Sequence, residues 1–365
     1  MDEAVGGLAG LSGPLAAEVS GGLDSSIVAA SLVRHAPEAV CLWLNATGST
    51  PESDERAYAR LLGRALGFRP QCVRHATAPL STDWLTAISG GIRPGLNAID
   101  RPQDLAWGRH MEAAGVTAVM TGRGGDSIFF QAATPDVFTD DWMARGWRAL
   151  RSPDLLELAA ANEVSIWTMI RRARDHRPGP PCPPQREHPI LTPLPGPAPA
   201  HPWLAGSHGL GPGKAFQLAG VIDSVSHHGA TALTRTVDVR NPLCAQPVTE
   251  ACLALPAPVL TIGGRDRGLA RAAFRARLPR QIVDRRSKGE MTRIYGRLVA
   301  ENLDFLRPWL IEGRLAALGL IDQAAAEIEL QPEALVWRGH YAVILTVAAY
   351  EGWVRTWEAH LGPAA

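Results

Sequence analysis

Through Thr121 the sequence alternates short apolar runs with stretches of helical period, and this alternation constrains the fold more than any other feature. Leu15–Ser20, Ala39–Asn45, Gln71–His75 and Thr117–Thr121 read as strands. Between them Ser26–His35, Ser53–Gly67 and Asp104–Ala114 read as helices, the second opening on a serine cap and an acidic first turn. Strands that alternate with helices pair in parallel through right-handed crossovers, which implies an α/β fold with a doubly wound parallel sheet. The run AVCLWLN at 39–45 is too continuously apolar for a sheet edge. Ligands of such sheets bind beyond the carboxyl ends of the strands, so the residues after each strand are where a site is expected.

Residues 1–14 are glycine-rich and read as a tail or linker remnant ahead of an α/β core at 15–135. From 136 to 365 the strand signal fades and the pattern becomes mainly helical, with one helix expected over Asp154–Arg174. The stretch His176–Pro202 holds eleven prolines in 27 residues, so neither helix nor central strand can form there. It reads as a long loop, either a substrate lid or an unstructured connection.

Composition excludes several classes. Thirty-six basic residues balance thirty-six acidic ones, which argues against a protein that grips nucleic acid through its phosphates. No apolar run approaches the ~18 residues of a membrane span, and MDEAVGGLAGLSG lacks the basic start of a signal peptide. The five cysteines form no CxxC pair, which fits neither a disulfide framework nor a zinc site and suits a reducing cytoplasm. Of the basic residues 34 are Arg, and Lys214 and Lys288 are the two lysines. A lysine kept against that bias is a candidate for chemistry that arginine cannot copy.

The most informative stretch is Ser20-Gly21-Gly22-Leu23-Asp24-Ser25-Ser26, set between the first strand and its helix. Gly21 and Gly22 let the backbone approach a ligand, and the helix N-terminus offers unpaired N–H groups and about half a positive charge. Ser20, Ser25 and Ser26 add hydroxyl donors. Asp24 would repel a phosphate unless a cation bridged them, which points to magnesium. No GKS or GKT follows, so this is not a Walker loop. A second glycine turn, Gly122-Arg123-Gly124-Gly125-Asp126-Ser127, leaves the fourth strand and puts Asp126 at the same sheet edge, where it and Asp24 would share magnesium.

The first loop resembles the SGGxDS pyrophosphate loop of ATP pyrophosphatases, which implies a sheet of the PP-loop, adenine nucleotide alpha hydrolase-like type. With SDERAYARLLGRALG, TGRGGDSIF, VDVRNPL at 237–243, RAAF at 271–274 and RRSKG at 285–289, the chain resembles the synthetase domain of the asparagine synthetase superfamily over about residues 15–295. LNATG, GGDS, HPWL at 201–204, GPGKAF at 211–216, QPVTEACLALP at 246–256 and GGRDRGLARAAFRARLP resemble lasso-peptide isopeptide-bond-forming cyclases more closely.

That resemblance implies an enzyme that uses ATP and Mg2+ to adenylate an Asp or Glu side chain of a precursor peptide. The peptide's N-terminal amine then closes a macrolactam and AMP leaves. Partners would be the precursor peptide, a leader peptidase and a precursor-recognition protein. The alternative is a small-molecule amide or lactam synthetase using free ammonia or an intramolecular amine. Lys288, in the segment 285–290, matches the superfamily lysine that stabilises charge in adenylation and amide closure. Ser20, Gly21, Gly22, Asp24, Ser25, Ser26, Gly122 and Gly124 would hold ATP, with Leu42–Leu44 flanking adenine through backbone contacts.

Departures are expected to matter. Asp2 stands where glutamine-hydrolysing members have cysteine, and the loop begins by Ser20, so no N-terminal glutaminase domain is expected. Arg123 replaces a glutamate of the family loop; it cannot take a proton and would instead neutralise phosphate charge, leaving the general base unassigned. Ala245 replaces the acid of the family's FLD stretch. Asp238 and Arg240 read as an ion pair or a substrate contact, and the tryptophans, Trp142, Trp147, Trp167, Trp203 and Trp309 among them, mostly as core, with one or two lining a peptide groove.

Overall fold

A computed structural model describes residues 1–11, 13–48, 50, 53–94, 98–177, 188–193, 201–226, 228–286 and 291–362, with 291–293 as backbone only. Among these residues β1 (Leu15–Glu18), β2 (Val40–Thr47), β3 (Gln71–Arg74), β4 (Ala118–Met120) and β5 (Asp238–Arg240) make one sheet. Its order is β3-β2-β1-β4-β5 and every neighbouring pair is parallel. Helix α1 (Asp2–Ala9) precedes the sheet; α2 (Leu23–His35) connects β1 to β2, and α3 (Arg56–Leu66) connects β2 to β3. Helix α4 (Arg101–Ala113) leads into β4, and the short α5 (Gly125–Ile128) leaves it. The chain therefore winds outward from β1 in one direction and from β4 in the other. Their carboxyl ends flank the crevice where such a sheet reverses its order.

Strand alternation builds the core on both faces. Leu15 and Ala17 pack with Ile27 and Val28 of α2, while Ala16 between them packs with Leu44, Val119, Trp107 and Met111 on the opposite face. Each fully buried side chain of the size of Ile27 or Met111 contributes about 1.5–3 kcal/mol. The first of these clusters draws on residues from Val5 to Val283, so the apolar packing beneath the sheet crosses residue 135. A separate cluster joins the helices Met291–Ala300, Leu303–Ile311 and Tyr341–Leu361 through Val299, Leu306, Leu345 and Val347.

Four strands fall where the sequence pattern puts them; five details differ. Residues 1–14 are not a free tail: Val5 of α1 is fully buried against the core. Asp2 pairs with Arg277 at 2.9 Å and His35 at 2.9 Å, and accepts a hydrogen bond from Ser31 at 2.8 Å. Helix α3 starts at Arg56, because Ser53 closes a turn on Thr50 (3.1 Å) instead of capping the helix. The expected helix over 154–174 is two, Leu155–Ala161 and Ile166–Asp175. Glu163 between them takes φ 54, and Ser165 caps the second by accepting from Thr168 N–H. Strand β5 lies inside the stretch read as helical, too short for a periodic signal. Within the proline-rich stretch, Ile190 is buried and the backbone at 190–192 bonds to Leu320 and Asp322, so that part is anchored; 178–187 and 194–200 lie outside the described residues.

No described helix is long and apolar enough to cross a membrane. Of the tryptophans expected in the core, Trp309 is buried, whereas Trp147, Trp167 and Trp203 are exposed.

Burial alone would raise the Asp2 carboxyl, but the bonds from Ser31, His35 and Arg277 hold it well below the ordinary carboxylate range. A group depressed in the folded state stabilises above its unfolded value and loses that contribution as pH falls through its folded value. Asp2→Ala should therefore lower stability by about 1–2 kcal/mol at neutral pH, with the difference closing only below about pH 4. Urea unfolding of both proteins across that pH range measures it.

Candidate active site

The first glycine loop turns out of β1 directly into α2. Gly22 is the N-cap, so Asp24, Ser25 and Ser26 occupy the first helical turn, three residues earlier than the pattern suggests. Gly21 sits at φ +73, and a Cβ there would lie 2.4 Å from Tyr58 Cβ of α3, so a side chain is excluded on both counts. Ser25 Oγ accepts from the Ser20 N–H at 3.1 Å and shares a 2.9 Å contact with Ser20 Oγ, which in turn accepts from the Gly22 N–H at 3.2 Å. The loop thus holds its own shape through serine hydroxyls at the positive end of a helix of 13 residues.

The second loop packs directly on the first. A Cβ at Gly122 would come within 2.4 Å of Ser25 N, and one at Gly125 within 2.4 Å of Asp24 Cγ. Glycine at these two places is what lets the β4 loop lie against the β1 loop. Gly124, at φ 89, caps α5 and brings Asp126 into its first turn. Asp24 and Asp126 are consequently neighbours.

A residue from far along the chain joins them. Arg267 Nη1 donates to Asp24 Oδ2 at 2.9 Å and to Asp126 Oδ1 at 2.6 Å, while its other nitrogens reach Asp266 Oδ2 at 2.9 and 3.1 Å. The Asp126 side chain is 41% exposed and that of Asp24 only 10%, so the pair forms a pit with one open side. Burial by itself would lower the Arg267 value, and the three carboxylates more than reverse this. Arg267 takes the left-handed conformation (φ 51), and its N–H donates to the carbonyl of Phe130, which is also left-handed (φ 65) and buried. Two such residues in contact next to a pair of carboxylates are a local strain of the kind that collects at functional sites.

Arg285 closes the other side. Its guanidinium lies 3.8 Å over the Tyr58 ring, donates to Glu55 Oε1 at 2.7 Å and to the Gly21 carbonyl at 3.3 Å. Arg271 links the groups further, donating to Asp266 Oδ2 at 2.8 Å and to the Val283 carbonyl.

The remaining candidates divide. Ser26 is fully buried and its hydroxyl donates to the Gly22 carbonyl at 2.7 Å, so it shapes the loop and offers no donor to a ligand. Leu42 and Leu44 do not end β2, which runs on to Thr47. Leu44 is buried, and its carbonyl accepts from Val19 N–H at 2.8 Å. Arg123 is exposed, and its charge acts on Asp104, Tyr295 and Cys244. Lys288 lies outside the described residues. Lys214 is structural: its ammonium donates to the carbonyls of Leu255 (2.5 Å) and Cys252 (3.2 Å) at the end of the helix Gln246–Ala254. Burial lowers it to about 8. Arg240 pairs with Asp238 at 2.7 Å and donates to the Leu8 and Leu11 carbonyls, tying β5 to α1.

Sequence reasoning missed Arg267, Asp266, Arg285 and Glu55. All four lie in stretches already notable for their motifs, GGRDRG, RRSKG and SDER, but nothing local distinguishes them from the 32 other arginines or the neighbouring acids. Chemically, the site combines a helix N-terminus for an anion with two carboxylates converging on one cationic nitrogen. No cluster of three or more metal-ligating side chains occurs among the described residues. Magnesium does not require one, since it keeps waters and takes phosphate oxygens beside one or two carboxylates. Asp24 and Asp126 therefore fit an ion that arrives with a nucleotide.

A family model described as asparagine synthase matches residues 1–355. No curated protein matches the chain.

Removing the Arg267 charge should leave two facing carboxylates without a counterion. Arg267→Met is expected to cost about 3 kcal/mol in chemical denaturation, the lower end of buried-pair losses because Asp126 is partly solvated. Magnesium chloride should restore part of that loss in the variant and leave the unaltered protein unchanged. Gly125→Ala should destabilise the protein as well, by driving a methyl into Asp24.

Proposed function

The chain belongs to the asparagine synthase family, whose activity is ATP-dependent amide bond formation yielding AMP and pyrophosphate, and on that premise we propose that it is a macrolactam-forming peptide ligase of the lasso-peptide type. The observation that carries the reading is the convergence of Asp24 and Asp126 on one cation position beside a helix N-terminus, at the crevice between β1 and β4. A sheet of the PP-loop type presents a triphosphate at that place.

The reaction has two steps. A carboxylate oxygen of an Asp or Glu side chain in the precursor peptide attacks the α-phosphorus of ATP, and pyrophosphate departs. The peptide's N-terminal amine nitrogen then attacks the acyl carbon, loses a proton, and AMP departs as the amide forms. Ser20, Gly21, Gly22 and Ser25 hold the pyrophosphate portion through loop N–H groups and hydroxyls. Gly122 and Gly124 let the second loop approach. Asp24 and Asp126 would hold magnesium, which would neutralise charge on the leaving pyrophosphate. Arg123 adds positive charge at the open edge. Lys288 supplies the compact ammonium that stabilises charge in both steps; three residues earlier in sequence, Arg285 donates to the Gly21 carbonyl of the first loop. Little covalent work falls to the protein, so rate comes from positioning and electrostatics. The precursor is expected to arrive through a leader peptidase and a recognition protein encoded nearby.

The test is mass spectrometry of a neighbouring gene's precursor peptide incubated with ATP, magnesium and the peptidase. The expected product has lost one water, with one AMP released per ring. AMP release with free ammonia or a small amino acid, and none with peptide, would turn the reading to a small-molecule amide synthetase. Asp24→Ala and Lys288→Arg should each slow AMP formation by about 10²-fold or more, the second despite its retained charge.

A further inference from the structure

A groove of about 530 Å³ lies between residues 88–93 with Ala98, the residues His201 and Trp203, and the C-terminal half of the helix Pro212–Ser226. Its walls are mainly apolar, with Ile88, Ile92, Trp203, Ile222 and Val225 among them, and its size is that of a small-ligand site. Ile92 is 85% exposed and Trp203 48%, an unusual amount of large apolar surface to leave in water. Among the described lining residues Arg93 is the one fixed charge; no acidic side chain lines the groove, and none pairs with Arg93.

Two features show that the groove is built. The Gly91 carbonyl accepts from both the Trp353 and Trp357 indole N–H groups, at 2.8 and 3.1 Å, which pins the loop carrying Ile88, Ile92 and Arg93 to the helix Tyr341–Leu361. On the opposite wall His201 and Trp203 pack edge to face at 5.3 Å. One helix links the groove to the candidate active site. The helix that supplies Ile222 and Val225 donates from Ser224 Oγ to Ser127 Oγ at 3.0 Å, and Ser127 follows Asp126 directly.

We infer that this groove holds the acceptor peptide, with an aromatic or aliphatic side chain against Trp203 and Ile92 and an acidic group against Arg93. The inference rests on the peptide-ligase reading for its occupant. An anionic, apolar peptide segment is what one guanidinium in an apolar trough selects.

Affinity selection from a phage-displayed library of random dodecapeptides, with the full chain immobilised and no ATP present, tests it. The unaltered protein should enrich peptides that combine aromatic or aliphatic residues with Asp or Glu. Arg93→Glu should abolish the acidic preference and Trp203→Ala the aromatic one, each weakening the best peptides at least about tenfold in fluorescence anisotropy, with Arg93→Lys restoring binding. Both positions are exposed, so unchanged melting temperatures are expected. Enrichment that is absent, or identical for all variants, overturns the groove. The two readings fail separately. Peptide-dependent AMP release with an unchanged KM in Arg93→Glu and Trp203→Ala sinks the groove alone. Selective peptide capture by a protein that never releases AMP sinks the ligase alone.

Discussion

The guanidinium between Asp24 and Asp126 is the contact on which the site's geometry depends. The two loops it joins leave strands that lie side by side in space but a hundred residues apart in sequence. Each loop carries a carboxylate to the same point. Without a cation there, two carboxylates in a mostly buried pit repel and the loops part. With one, the charges are neutralised where water screens them poorly. Arg267 is itself held: Asp266 fixes its other nitrogens and Phe130 its backbone.

From this contact a ring of interactions runs round the crevice. Asp266 joins Arg267 to Arg271, and Arg271 reaches the Val283 carbonyl. Two residues on, Arg285 returns to the Gly21 carbonyl of the first loop and stacks on Tyr58. The segment just before Lys288 is therefore drawn against the loop in which Asp24 lies. The Asp24 and Asp126 carboxylates and the Gly21 carbonyl thus tie the two glycine loops to the 267–285 stretch.

How much of this could be read beforehand follows from how local each signal is. The glycines at 21, 122 and 125 were legible because a loop that must approach another backbone excludes a side chain whatever surrounds it. Asp24 and Asp126 were legible because each follows a strand whose apolar run is plain. Ser26 was misjudged, since a hydroxyl in a first helical turn has two uses and only the fold shows that it bonds back to Gly22. Helix α1 was missed because four of its eight residues are Gly or Ala, which carry little periodic contrast. Its anchor, Asp2, acts through Arg277, a partner 275 positions away.

The amino-acid order by itself determined the parallel α/β sheet, its first four strands and the two glycine turns at their carboxyl ends. These depend on the spacing of apolar residues and on backbone freedom, which neighbours in sequence carry. Only the tertiary structure decided which arginine of 34 lies between the aspartates, that Asp238–Arg240 completes the sheet, and that a groove with Arg93 as the one fixed charge among its described lining residues opens along the helix Pro212–Ser226. Those outcomes depend on which distant segments pack together, and a side chain's charge is the same wherever the chain takes it until packing chooses its partner.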